Sequence, residues 1–161
     1  EINKHLSLRD GLILGIGDGF QGLLKAGLIS KGQVTDLEKS PLLVGNEAGG
    51  FLSTMVNIEV SSNKSPWMAN MEVGQIYSSA LGTREGRMVL EEGLVAPDQI
   101  ASKFANENPT GSTMAIESLT SPDGRVLGTI SAIDRMGEDL YKNIDLKGKH
   151  NIFESGVKYF D

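Results

Sequence analysis

The stretch Gly11-Leu-Ile-Leu-Gly-Ile-Gly-Asp-Gly-Phe-Gln-Gly-Leu-Leu-Lys-Ala-Gly-Leu-Ile29 decides how this chain is read. Its first six residues form an apolar run too short for a helix and stopped by glycine, which predicts a strand. From Phe20 onward, Leu23, Leu24 and Leu28 recur at helical spacing, so a helix follows. The local order is strand, tight turn, helix. An apolar strand without polar alternation is what a parallel sheet covered on both faces requires, which points to an α/β layered architecture.

Downstream of this unit, residues 30–50 are rich in Gly, Ser, Asn and charge and are expected to form a connection around a short Leu42–Val44 strand. Residues 54–60 alternate apolar and polar with period two, and 75–80, 86–90, 100–105, 114–119 and 125–131 read as further strands. Ser121-Pro-Asp-Gly124 has the residues of a tight hairpin turn between the last two. Ser65-Pro-Trp67 is another turn, with Trp67 expected to anchor it in the core. At the C-terminal end Ile152, Phe153, Gly156, Val157 and Phe160 fall on one face of an amphipathic helix that should pack on the sheet.

Composition narrows the function. A chain of 161 residues is expected to be a single domain over 1–161, burying about two thirds of its unfolded surface. It has no cysteine, which excludes a disulfide framework, a cysteine-ligated metal and a thiol nucleophile. The formal charge is -6 and the basic residues are scattered, which argues against nucleic acid as a partner. No apolar stretch is long enough for a membrane span and the N-terminus lacks a signal-peptide layout, so the expected location is cytoplasmic. A start at Glu1 without methionine suggests a processed or excised segment. The acidic residues Glu91, Glu92, Asp134, Glu138 and Asp139 show no ligand spacing with histidine. They are read as a solvated face, with no metal and no cofactor expected.

The turn at 17–22, Gly-Asp-Gly-Phe-Gln-Gly, admits three readings. It matches G-x-G-x-x-G between a strand and a helix, the dinucleotide fingerprint, with Asp36 and Glu38 as ribose ligands. Against this, Asp18 would put a carboxylate where phosphate must sit, and the following strands look antiparallel. The glycines can equally serve only to permit a sharp turn. The third reading is a nucleophile elbow, in which a strained turn lifts one side chain to the top of the sheet beside backbone N–H groups. The residue at that apex is Gly17.

Residues 12–28 resemble the elbow of class I glutamine amidotransferases, in particular the glutaminase domain of phosphoribosylformylglycinamidine synthases, the purine-pathway ligases, where the elbow reads G-I-C-N-G-F-Q. The likeness continues through Ser40-Pro41, Ser62-Asn-Lys-Ser-Pro-Trp67, Glu85-Gly-Arg87, Asn108-Pro-Thr110, Thr120-Ser-Pro-Asp-Gly-Arg-Val-Leu-Gly128 and Ile152-Phe-Glu-Ser-Gly-Val-Lys-Tyr-Phe160. The fold it implies is a flavodoxin-like layered sheet with helices, here lacking the family's N-terminal strands and thus a partial domain.

Carried over position by position, the resemblance puts the family's nucleophilic cysteine at Gly17, its general-base histidine at Ala132 and the orienting glutamate at Asp134. A further family histidine corresponds to Thr83, although Glu85, Gly86 and Arg87 persist. In the F-N-x-x-G-R-H stretch Asn46 and Gly49 match, while Gly45, Gly50 and Phe51 depart. The resemblance implies Gln21, Gly19 and Asn46 as substrate-binding positions. Asp18 stands where the family usually has Asn, and it is expected to cap the helix more than to catalyse.

Glutaminase chemistry needs a thiolate, a base and N–H donors for the oxyanion. Loss of the nucleophile alone removes about a million-fold of rate in the best-studied serine case. The chain's two histidines, His5 and His150, read as solvated surface groups, and Ser131 as an ordinary hydroxyl. The implied function is a glutaminase-like domain unable to hydrolyse glutamine, structural or regulatory beside the synthase portion of a purine-pathway ligase. The alternatives are part of a working ATP-dependent, ammonia-using synthase, and a nucleotide-binding module using the glycine-rich turn.

Overall fold

A computed structural model describes residues 1–137 and 139–161. The reading of Glu138 as part of an acidic face lies outside the described residues. The chain opens with α1 (Ile2–Leu8), then β1 (Ile13–Ile16), α2 (Asp18–Lys25) and α3 (Leu28–Lys31). Strands β2 (Leu42–Val44), β3 (Leu52–Val60), β4 (Ile76–Thr83), β5 (Arg87–Val89), β6 (Ile100–Ala105), β7 (Ile116–Thr120) and β8 (Val126–Thr129) follow, and α4 (Ile152–Lys158) closes the chain. Among the described residues the strands form a six-stranded sheet of order β1-β8-β7-β6-β3-β4 and a separate ribbon of β2 with β5.

The sheet is mixed. Only β1 and β8 pair in parallel; β8–β7, β7–β6, β6–β3 and β3–β4 are antiparallel. The apolar run of β1 therefore does not report a parallel sheet throughout. Strand β1 is an edge strand in which only Gly15 is fully buried and Ile13, Leu14 and Ile16 are half-buried. A Cβ on Gly15 would lie 2.5 Å from Leu23 Cδ1 of α2, and the Trp67 indole N–H donates to the Ile13 carbonyl (3.1 Å). The turn 121–124 joins β7 to β8 as a hairpin, so the last strand pair arrives antiparallel without a crossover helix.

Packing explains where element boundaries depart from the sequence pattern. The helix expected through residue 29 breaks at Gly27, whose φ of 78° is left-handed, and resumes as α3. The strand expected from residue 114 starts at Ile116, because Met114 and Ala115 take positive φ in a 3-10 turn. Gly128 lies directly against the Phe20 ring, with no room for a Cβ, which locks α2 onto β8. Helix α4 is rotated from its expected setting: Ile152, Ser155 and Gly156 are buried, while Phe153, Val157 and Phe160 are exposed. The Trp67 ring occupies the space where a Gly156 Cβ would be, and this contact fixes the rotation. The helix packs on the 3-10 turn that carries Trp67.

Beyond β8 the chain returns across the outer edge of β4. The Ala132 N–H donates to the Ala80 carbonyl (2.7 Å) and the Ser78 N–H to the Lys147 carbonyl (2.8 Å). No helix among the described residues is long and apolar enough to cross a membrane.

Candidate functional site

The elbow is present as a backbone shape. Gly17 sits at φ 56°, ψ -114°, between the end of β1 and the first residue of α2. Its N–H donates to the Thr129 carbonyl at the end of β8 (2.9 Å), so the apex is tied to the neighbouring strand. These angles are costly for any residue with a Cβ. A Cβ built on Gly17 meets nothing within 4 Å and would project into open space.

That space is a cavity of about 510 Å3 lined by Gly17, Asp18, Phe51, Thr83, Ala132 and Asp134, with Arg84, Glu85 and Arg135 among its charged neighbours. The fold thus brings Gly17, Ala132 and Asp134 together from β1 and from the segment after β8. Neither His5 nor His150 lines it. No lining side chain is a thiol or an imidazole, and the titratable groups are carboxylates and guanidinium ions.

The other candidate positions surround this cavity unequally. The Gln21 amide donates to Glu85 Oε2 (3.0 Å) and to the Leu43 carbonyl (3.3 Å), holding the 83–86 corner against α2. Asn46 is buried and committed to the backbone. Its Nδ2 donates to the carbonyls of Thr83 (2.9 Å) and Gly50 (3.0 Å), and its Oδ1 accepts from Gly86 N–H (3.0 Å). Gly19 lies on the exposed first turn of α2, with nothing near a Cβ position. Asp18 does not cap α2: it is the first helical residue, it is exposed, and the helix has no side-chain cap bond. A residue at that position already has helical geometry, and the capping position itself is taken by Gly17.

The structure adds a residue that sequence reasoning passed over. Glu117, on β7, is fully buried. One carboxylate oxygen accepts from Ser102 Oγ (2.7 Å), and the other accepts from Thr129 Oγ1, Ser131 N–H (2.8 Å) and Ser131 Oγ (2.7 Å). Ser131 is therefore a buried donor to Glu117, engaged in the fold. Thr129 and Ser131 flank the point where β8 meets the elbow, so Glu117 buttresses both Gly17 and Ala132 from below. An acidic residue inside the apolar run Ile116-Glu-Ser-Leu119 was the available signal.

His150 is likewise not a solvated surface group. It is partly buried, its Nε2 lies 3.1 Å from the Ile133 carbonyl, and its Nδ1 is sealed without a partner. Its ring stands edge-on to Tyr77 and Phe153. Burial pushes the imidazole below its ordinary pKa, against the smaller opposing effects of the Ile133 carbonyl and the Glu117 charge. The unfolded chain takes up a proton near pH 6.5 that the folded chain resists, so stability should fall as pH drops below about 6.5. His150→Phe should flatten that dependence between pH 7.5 and 5.5, as read by urea midpoints. His5 lies over Gly11, with Nε2 3.4 Å from the Leu12 carbonyl, before β1 and away from the elbow turn.

No group of three or more His, Cys, Asp or Glu side chains able to hold a metal occurs among the described residues. The dinucleotide fingerprint lacks its context, because the parallel neighbour of β1 is β8, reached only after the intervening strands.

A model of the CobB/CobQ-like glutamine amidotransferase domain matches residues 1–160. The chain belongs to that family. Within this glutamine amidotransferase family it is similar to the phosphoribosylformylglycinamidine synthase subunit PurQ of Prochlorococcus marinus (strain NATL2A), with 30% identity over 152 residues. That match covers 91% of this chain and 65% of the relative. The PurQ subunit of Alkaliphilus metalliredigens (strain QYMF) is 27% identical over 154 residues, 94% of this chain and 62% of the relative. The chain thus spans a little under two thirds of these relatives. Its fold matches a chain in the structure of PurLQS from Thermotoga maritima with a TM-score of 0.74 and 23% identity, covering 97% of this chain and 65% of the other. The architecture is that of a class I glutamine amidotransferase-like fold, with mixed sheet and flanking helices.

Proposed function

We propose that this amidotransferase-family domain does not hydrolyse glutamine and serves as a docking or regulatory module beside the ATP-dependent synthase portion of a purine-pathway ligase. The observation that carries the reading is the bare elbow. The apex keeps its strained angles and opens on a cavity, yet the residue there is Gly17. The position read as the general base is Ala132, which cannot move a proton, and Asp134 has no imidazole to orient.

Covalent amide hydrolysis needs an attacking atom and a group that carries its proton to the leaving ammonia. The cavity holds neither a thiol nor an imidazole, the groups that do this work in glutaminase chemistry. What it does supply are helix N–H groups at the start of α2, the Arg84 and Arg135 guanidinium ions, and the Asp18, Glu85 and Asp134 carboxylates. Those groups can hold a zwitterion, and none of them replaces a thiol at the apex. Similarity to PurQ subunits, and the fold shared with a chain in the PurLQS structure, support a synthase as the partner.

Calorimetric titration with glutamine separates the two roles. Saturable heat without glutamate formation identifies a regulatory sensor. No saturable heat, meaning an affinity weaker than about 1 mM, identifies a structural docking module.

A further inference from the structure

The ribbon of β2 and β5 stands apart from the main sheet, and its register sorts its side chains cleanly. Leu42 pairs with Val89 and Val44 with Arg87, so these four share one face. Leu43 and Met88 point the other way and are buried. On the outer face Leu42 is 44% exposed and Val89 38%, which leaves an aliphatic patch around a single cation.

Arg87 is out of balance there. It is half-buried, its Nε–H is sealed from water with no acceptor, and it has no carboxylate partner among the described residues. The acidic residues nearest in sequence are engaged elsewhere, Glu85 by the Gln21 amide and Glu91 by Lys39 (2.7 Å). A partly desolvated cation without a counter-charge is unfavourable unless something outside the chain completes it. A free anion is a poor candidate. Arg87 does not line the cavity at the elbow, the one between Met136 and Leu146 or the two along β3, and a small anion held by one guanidinium at a solvent-facing position gains little. A polypeptide that covers Leu42, Val44 and Val89 removes aliphatic surface from water and desolvates the ion pair at once. An arginine ringed by apolar side chains has the composition of a binding hot spot.

We infer that the outer face of the β2–β5 ribbon docks a protein partner that presents an Asp or Glu carboxylate to Arg87 between apolar side chains. The inference rests on the docking-module reading above and gives it a location.

The test places the photo-crosslinker p-benzoylphenylalanine at Leu42 or Val89 in the full chain, irradiates the producing cells and sequences the captured peptide. Position Thr54 on β3 is the control. The expected peptide contains Asp or Glu beside apolar residues. Its yield should fall roughly tenfold or more in Arg87→Glu and Arg87→Gln, and an acidic-to-Arg exchange in the partner should restore it to the Arg87→Glu chain. The Arg87 side chain donates no hydrogen bond within the described residues, so the Gln variant should melt with the parent. Val89→Asp tests the same face should both changes at 87 impair folding. Capture no stronger than from Thr54, capture indifferent to these changes, or a captured segment without a carboxylate overturns the proposal. A synthase that co-elutes with the chain but crosslinks only elsewhere overturns the face and leaves the module reading intact. A charge-dependent partner that is not a synthase does the reverse.

Discussion

Glu117→Ala is expected to lower the stability of the fold by about 3 kcal/mol or more, because it strands buried donors that water cannot reach. The carboxylate accepts from Ser102, Thr129 and Ser131 at the centre of the sheet. Partial repairing is available, since Ser102 Oγ also lies 2.5 Å from Ser118 Oγ, but Ser131 N–H has no comparable substitute. Glu117→Gln keeps one acceptor oxygen and should cost about 1 kcal/mol. Urea unfolding of the three proteins measures the difference. The effect should extend to the elbow, because the Thr129 carbonyl holds the Gly17 N–H. Faster hydrogen exchange at Gly17 in the Ala variant would show that Glu117 supports the site and not only the core. A loss below about 1 kcal/mol for Ala would mean that the hydroxyls satisfy one another without the carboxylate.

The second large effect concerns the apex itself. Gly17→Cys should fold, at a cost of about 1–3 kcal/mol for placing a Cβ at φ 56°, ψ -114°. Its thiol should then be alkylated by iodoacetamide in the native protein, since the Cβ position is open and faces the cavity. Gly15→Cys, two residues earlier, is the contrasting case. Its Cβ would lie 2.5 Å from Leu23 Cδ1 and 2.8 Å from the Gly19 carbonyl carbon, which forces overpacking and hides the thiol. Reaction there must wait for local opening, so the Gly17 thiol should react roughly a hundredfold faster or more. Equal rates would remove the elbow geometry from the account. Glycine at this position avoids the strain that any residue with a Cβ would bear there.

The elbow was legible because its pattern is local. Glycines at 15, 17 and 19 between an apolar run and a helical repeat leave few geometries open, and the hairpin at 121–124 is fixed by its turn residues in the same way. What the sequence did not reveal depends on partners far along the chain. The rotation of α4 follows from the contact of Gly156 with Trp67, and the periodicity of residues 152–160 carries no record of it. Glu117 is one acidic letter in a strand, and its meaning comes from Ser102, Thr129 and Ser131 on the two flanking strands and just beyond them. His150 sits in a charged connector and reads as exposed until Ile133 and Tyr77 close over it. The apolar character of β1 suggests a strand buried in a parallel sheet, but β1 is a half-buried edge strand of a sheet that is antiparallel everywhere except at its pairing with β8.

The position-by-position comparison with the family and the geometry of the cavity bear on the same residues from different sides. The resemblance implies a thiol and an imidazole at the positions of Gly17 and Ala132, and both residues line one cavity whose lining holds no imidazole. The most direct measurement is glutamate release from glutamine by the purified chain, alone and with a synthase partner and ATP present. The account predicts no release above a buffer blank in either case, and sustained turnover that scales with the concentration of the chain would contradict it.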